Sequence, residues 1–156
     1  MTDDGTLSPP MLRLDRTTYL AIVAHALDGI PEEACGLLAA PTDTDSGEIA
    51  AAYPCRNAAA SARIYELHPL DHLHADRDAE GKGFQITGVY HSHTHTDAWP
   101  SPTDVAQAPD PDWHYVIVSL RLPQPVLRSF RIVDGEIDEE PVHIDGWPAW
   151  PGRRTR

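Results

Sequence analysis

The chain is poor in cysteine, in cationic residues and in long apolar runs, and each shortage closes off a class of explanation. Two cysteines, Cys35 and Cys55, make no disulfide framework. The fold must therefore rest on an apolar core. No apolar run approaches the roughly 20 residues of a membrane-spanning helix. The stretch Met1–Pro10 is polar and lacks the apolar segment of a secretory signal. A soluble, cytoplasmic chain with no membrane partner is expected. Lys and Arg number 12 against 24 Asp and Glu, a formal charge of −12. A field of that sign repels phosphate backbones, so no nucleic-acid partner is expected either.

What is present suits one ordinary domain. The 156 residues are 41% hydrophobic, enough to bury a core without disulfides. We expect a flexible leader over residues 1–10, a folded domain over 11–146, and a Pro-, Trp- and Arg-containing tail over 147–156 that either frays or docks its Trp residues. Short strands are expected at 11–14, 33–39 and, more weakly, 48–54. A helix is expected over 17–28, with Tyr19, Leu20, Val23, Ala26 and Leu27 on its buried face. A further short strand is read at 64–67. A second helix runs over 69–80, ended by Gly81 and Gly83, and a strand over 84–93. One or two helical turns over 101–108 open with Ser-Pro-Thr-Asp. Strands follow at 114–120 and 126–133, and Asp134-Gly135 is a hairpin signal leading to a last strand over 136–144. Strands alternate with helices early and pair as hairpins late. That order predicts an α/β fold: a single-domain mixed sheet flanked by helices.

Nine histidines is a high count for this length, and their spacing carries the chemistry. The informative run is His91-Ser-His-Thr-His-Thr-Asp-Ala-Trp-Pro-Ser-Pro-Thr-Asp104. On a strand, His91 and His93 project from one face. Asp104, at the start of the next helical segment, can return its carboxylate to the strand end. Two imidazoles and one carboxylate with a fourth position open is the donor pattern of a catalytic zinc site, whereas structural sites are closed by four protein ligands. Glu33 heads an apolar strand, where an unpaired carboxylate is costly. Beside a metal-activated water it can serve as general base; otherwise it is an exposed strand-end residue like Glu32. Ser101 is either an electrophilic helper, a helix cap, or both.

These residues together reach a resemblance. Glu33-x-x-Gly36, His91-x-His93, seven residues, then Ser101-x-x-Asp104 resembles the JAMM (MPN+) metallopeptidase motif at all five functional positions and with its spacing. Pro31-Glu-Glu-Ala-Cys-Gly-Leu-Leu, Val89-Tyr-His-Ser-His-Thr, His114-Tyr-Val-Ile-Val-Ser and Ser129-Phe-Arg-Ile-Val-Asp-Gly are similar to the compact bacterial Mec-type branch, so the likeness spans most of the chain. The resemblance implies a curved mixed sheet of cytidine-deaminase-like architecture. It implies one Zn2+ per chain on His91, His93 and Asp104, Glu33 as base and then acid, and Ser101 as oxyanion donor. It also implies hydrolysis at the C-terminus of a small ubiquitin-like sulfur-carrier protein with a Gly-Gly-type tail, releasing cysteine. Another peptide substrate, from cell wall or phage tail, and a non-catalytic scaffold stand as alternatives. Neither residues nor resemblance fixes an oligomeric state.

Several residues keep two readings. His95 shares parity with His91 and His93, as a fourth ligand or as an exposed residue past the turn. Cys35 shares parity with Glu33, as a thiolate near the metal or a small buried hydrophobe. His68 and His72 lie four apart on a helix, as an adventitious metal pair or a solvated face. Trp99 lines the cleft or simply packs. Pro54-Cys55 lacks the second cysteine of a zinc deaminase and the upstream motif is His-x-His, which argues against base deamination.

Overall fold

The structure, a computed structural model, describes residues 10–147. The elements run β1 (Leu12–Leu14), α1 (Arg16–Gly29), β2 (Cys35–Pro41), β3 (Ala51–Cys55), α2 (Pro69–Gly81), β4 (Phe84–His93), α3 (Pro102–Ala106), β5 (His114–Ser119), β6 (Val126–Val133), β7 (Glu136–Glu140) and β8 (Val142–Ile144). Six strands form one sheet in the order β3-β2-β4-β5-β6-β7, and β1 pairs with β8 apart from it. Within the sheet β4 and β5 are parallel, while every other pair is antiparallel. The fold is thus the expected mixed sheet with helices against it. A register shift at Leu38/Ala39 marks a bulge in β2, a device that bends a strand.

The central strands are buried over most of their length because both faces are covered. Alternate residues go to opposite sides. Leu38, Tyr90, Val116 and Val118 join Ile22 and Ala26 of α1 with Leu12, Leu14 and Val142. Leu37, Val89, Tyr115 and Ile117 join Ala75 of α2 with Phe130 and Ile132. His91 and His93 continue the parity of Val89, so the chemistry falls on the α2 side at the C-terminal end of β4.

Four expectations about elements need correction. The buried face of α1 is Ile22 and Ala26 with Tyr19 packed beside them, whereas Leu20 and Leu27 are half exposed. Apolar residues surround this helix on every side, so periodicity does not select a face. The first long strand begins at Cys35 rather than Glu33, because the Glu33 N–H donates to the Ser61 carbonyl and the Ala34 N–H to Ser92 Oγ. The last strand is two strands. Pro141 has no N–H for the ladder, and after it the chain leaves β6 and runs parallel to β1. Residues 64–67 make a single bridge, Asn57 to Leu67, in place of a strand.

Local signals behave as their chemistry dictates. Asp15 caps α1 by accepting from the Thr18 N–H at 2.6 Å. Asp134 and Gly135 both take positive φ, 50° and 79°, as a two-residue turn between β6 and β7 requires. Trp147 docks edge-on to Tyr19 at 5.1 Å, with Arg16 over its ring. The rest of the expected tail and residues 1–9 of the expected leader lie outside the described residues. A buried polar cluster ties the far sheet together: His114 Nδ1 lies 2.5 Å from Glu140 Oε1, and Ser129 Oγ donates to the same oxygen at 2.7 Å.

Gly36, on the strand beside the one that carries His91 and His93, marks a place where the fold has no room for a side chain. A Cβ there would sit 2.3–2.5 Å from the Tyr90 ring and hydroxyl. That ring is fully buried, and its hydroxyl lies 2.7 Å from His25 Nδ1. Gly36→Ala must displace the ring or part β2 from β4. The expected loss, read by urea unfolding, is about 1–3 kcal/mol, the usual range for overpacking; an unchanged midpoint would show that the ring gives way freely.

Candidate metal centre

Two elements deliver three donor atoms to one point. β4 ends with His91 and His93 on the same face, both buried. α3 is capped by Ser101, whose Oγ accepts from the Asp104 N–H at 3.0 Å, while the Asp104 carboxylate accepts from the Ser101 N–H at 2.9 Å. This reciprocal capping box is what aims Asp104. Its Oδ2 lies 3.2 Å from His91 Nε2 and 3.2 Å from His93 Nε2, and the two imidazole nitrogens are 3.1 Å apart. Among the described residues this is the one cluster of three or more such side chains with converging donor atoms.

The triangle fits a cation better than it fits hydrogen bonds. His93 Nδ1 is 2.8 Å from the Asp97 carbonyl, an acceptor, so that nitrogen carries the proton. In neutral His93 the Nε2 lone pair then points at a carboxylate oxygen, like against like. Four tetrahedral ligands about 2.0–2.1 Å from an ion lie about 3.3–3.4 Å from one another. The three observed separations are close to that edge length. The donor set therefore suits a divalent metal ion with a position left over for water or substrate.

The electrostatics agree. Burial pushes the His91 pKa down and keeps the ring neutral, outweighing the pull of Asp104. Burial also acts to lower His93, but Asp104, the Asp97 carbonyl and Glu33 prevail and raise it. A proton and a metal ion compete for that lone pair, so acid weakens metal binding. For Asp104 burial acts to raise the pKa, but the bonds from His91, His93 and the Ser101 N–H hold it well below the usual carboxylate range.

Glu33 comes to the same place from the turn before β2. It is buried, 4% exposed, and its Oε1 has no hydrogen-bond partner. Burial lifts its pKa to about 7 from the ordinary 4.5; the His93 charge works against this and Asp104 adds to it. The strand-end reading of Glu33 as solvent-exposed is thus excluded. Its backbone is clamped: Asn57 Nδ2 donates to the Glu33 carbonyl at 3.0 Å, and the Glu33 N–H donates to Ser61 at 2.7 Å. A cavity of about 640 Å3 opens from Glu33 and is lined further by His25, Ala34, Cys55, Arg56 and Asn57.

The remaining candidates divide. His95 is exposed and lies past the end of β4, outside the cluster. Cys35 turns its thiol toward the carbonyls of Cys55 and Arg56, at 3.9 and 3.7 Å, and burial pushes it up to about 12; it is a buried hydrophobe. His68 caps α2 through the Leu70 N–H, and His72 faces Asp76 at 3.6 Å on a solvated surface. Trp99 packs edge-on to Phe130. Three contributors have no sequence signal. Tyr65 stacks on His91 at 4.3 Å, Asn57 clamps Glu33, and the Asp97 carbonyl, a backbone group, sets the His93 tautomer.

Residues 15–133 match the family model of the prokaryotic homologs of the JAB domain, and the chain belongs to that family. It is 44% identical over 141 residues to the CysO-cysteine peptidase of Mycobacterium tuberculosis, an overlap of 90% of this chain and 94% of that protein. It is 38% identical over 104 residues to the desampylase of Haloferax volcanii, covering 64% of this chain and 73% of that protein. A solution structure of a Desulfitobacterium hafniense protein superimposes with a TM-score of 0.78 at 34% identity, covering 86% of this chain and 93% of that one.

Glu33 predicts how stability depends on pH. Its pKa is raised in the fold, so between about pH 4.5 and 7 the folded chain holds a proton that the unfolded chain has released. Stability of the metal-free protein therefore falls as pH rises through that window. Glu33→Gln removes the component. From about pH 5 to about pH 8, wild type should lose roughly 2–3 kcal/mol relative to the variant in urea unfolding; parallel curves would contradict the raised pKa.

Proposed function

We propose that the chain is a zinc-dependent hydrolase that cleaves an amide bond at the C-terminus of a small ubiquitin-like sulfur-carrier protein with a Gly-Gly-type tail and releases an amino acid, cysteine. The observation that carries the hydrolytic reading is the convergence of His91, His93 and Asp104 beside a buried carboxylate with an unpartnered oxygen. The relatives that cleave a CysO-cysteine adduct, or that bear the name desampylase, support the choice of substrate. The functional domain runs over residues 11–146. The setting is the cytoplasm, where Cys35 and Cys55 stay thiols. Among the described residues no helix is long and apolar enough to cross a membrane.

His91, His93 and Asp104 would hold the zinc ion, which would supply Lewis acidity for polarising a carbonyl and lowering the pKa of water. The chain's own groups do the rest. Glu33 takes the proton of the attacking water as the new C–O bond forms. A pKa near neutrality suits a group that must both accept and return a proton. Ser101 Oγ spends a lone pair on the Asp104 N–H, which leaves its hydroxyl proton to donate to the carbonyl oxygen as charge builds there. Capping and oxyanion donation are thus compatible in one side chain. As the C–N bond breaks, Glu33 returns its proton to the leaving nitrogen. The cavity that opens from Glu33 gives the leaving amino acid room on that side. The formal charge of −12 keeps phosphate polymers away from the site.

The test is mass spectrometry of a Gly-Gly-Cys-ended carrier incubated with the zinc-loaded protein. Wild type should release cysteine. Glu33→Gln should bind zinc yet lose activity by more than the ~10²-fold expected for Ser101→Ala, since removing one oxyanion donor costs on the order of 10²–10³-fold. Intact carrier after prolonged incubation with wild type would remove the substrate assignment.

A further inference from the structure

The loop between β4 and α3 is fastened to the end of β5 at Thr96, the residue before a backbone carbonyl that touches a proposed metal ligand. The Asp97 carbonyl accepts from His93 Nδ1 at 2.8 Å and from the Trp99 N–H at 2.8 Å. One residue earlier, the Thr96 carbonyl accepts from Ser119 Oγ at 2.5 Å. Ser119 is the last residue of β5 and 3% exposed. Its oxygen also accepts from the Arg121 N–H at 3.3 Å, and the Arg121 guanidinium reaches Asp97 Oδ1 at 2.5 Å. The Leu120 N–H donates to the His93 carbonyl at 2.9 Å, which keeps β4 and the segment after β5 in step beyond the last ladder pair. Trp99 closes the far side by packing on Phe130 at 5.2 Å.

We propose that Ser119 is a positioning residue for the metal centre: by holding Thr96 it sets the Asp97 carbonyl, which fixes the His93 tautomer and aims the His93 Nε2 lone pair at the ion. An imidazole can carry its proton on either nitrogen, and only the Nδ1–H form leaves Nε2 free to ligate. Partners of this outer kind tune metal affinity by about 10- to 100-fold in other sites. Arg121 assists from the surface. Arg121 and Asp97 are each about half exposed, so salt screens their pairing. The buried Ser119 hydroxyl has no such competitor and carries the larger share. The inference rests on the reading of His91, His93 and Asp104 as the zinc ligands.

The experiment measures zinc affinity by competition with a chromophoric chelator, at a temperature where circular dichroism shows each metal-free protein folded. Ser119→Ala should bind zinc about 10-fold or more weakly, and Ser119→Thr, which keeps the hydroxyl, should recover most of the loss. Arg121→Ala should lose a few-fold at low salt and nothing at about 1 M salt. In the Ser119→Ala protein, imidazole 15N shifts should show His93 partly in the Nε2–H form, a signature that a general loss of stability does not produce. Zinc affinity and 15N shifts unchanged in Ser119→Ala overturn the proposal. If that variant does not fold, an Arg121→Ala affinity equal to wild type at low salt overturns it instead. A wild-type protein that binds no zinc would end the reading of the ligands themselves, a result distinct from equal affinities in wild type and variant.

Discussion

Everything at the centre depends on one carboxylate oxygen. Asp104 Oδ2 faces two imidazole nitrogens and the Ser101 N–H at once, and it is held there by the first turn of a five-residue helix. A helix that short has little stability of its own. It persists because Pro102 pre-sets its first turn, the capping box satisfies its orphan donors, and Val105 packs against the α2-side core. The metal centre and α3 are therefore mutually dependent. The helix presents the carboxylate, and a bound cation would relieve the crowding of lone pairs that the helix creates.

The outer contacts extend the same logic to the other groups. Apart from the reciprocal Ser101–Asp104 pair, the clustered side chains are oriented by partners outside their own elements. Asn57 and Ser61 hold the Glu33 backbone, Ser92 holds Ala34, the Asp97 carbonyl holds His93, and Tyr65 lies flat on His91. Segments distant in sequence meet at the C-terminal end of β4, the parallel partner of β5 in an otherwise antiparallel sheet. The sheet supplies rigidity, and the loops at its end supply chemistry.

Much of this was legible in the residues themselves. The strands expected at 84–93, 114–120 and 126–133 announce themselves by their β-branched and aromatic residues, and His-x-His on the first of them puts two donors on one face. Ser101-Pro-Thr-Asp104 reads as a helix start and so gives the third donor. What stayed hidden has physical causes. The face of α1 was ambiguous because Leu20, Ile22, Val23 and Leu27 surround the helix, and only tertiary packing selects Ile22 and Ala26. The division of the last strand turns on a single missing N–H at Pro141. Burial of Glu33 depends on the 57–66 loop folding over it, and the tautomer of His93 on a main-chain oxygen; no side-chain pattern encodes either.

The pairing of β1 with β8 has a consequence for how the chain reaches this state. Leu12 is in register with Val142, and Leu14 with Ile144, so the first described strand, which also bridges to Glu48, finds its strand partner near the last described residue. Both leucines are fully buried in the core that also receives α1. That half of the core is completed by contacts of very high sequence separation, and the parallel β4–β5 pair adds more. Such a topology has a large contact order, and its loop-closure entropy is spent before the rewarding contacts form. Folding in the millisecond-to-second range, rather than microseconds, is the natural timescale for this molecule.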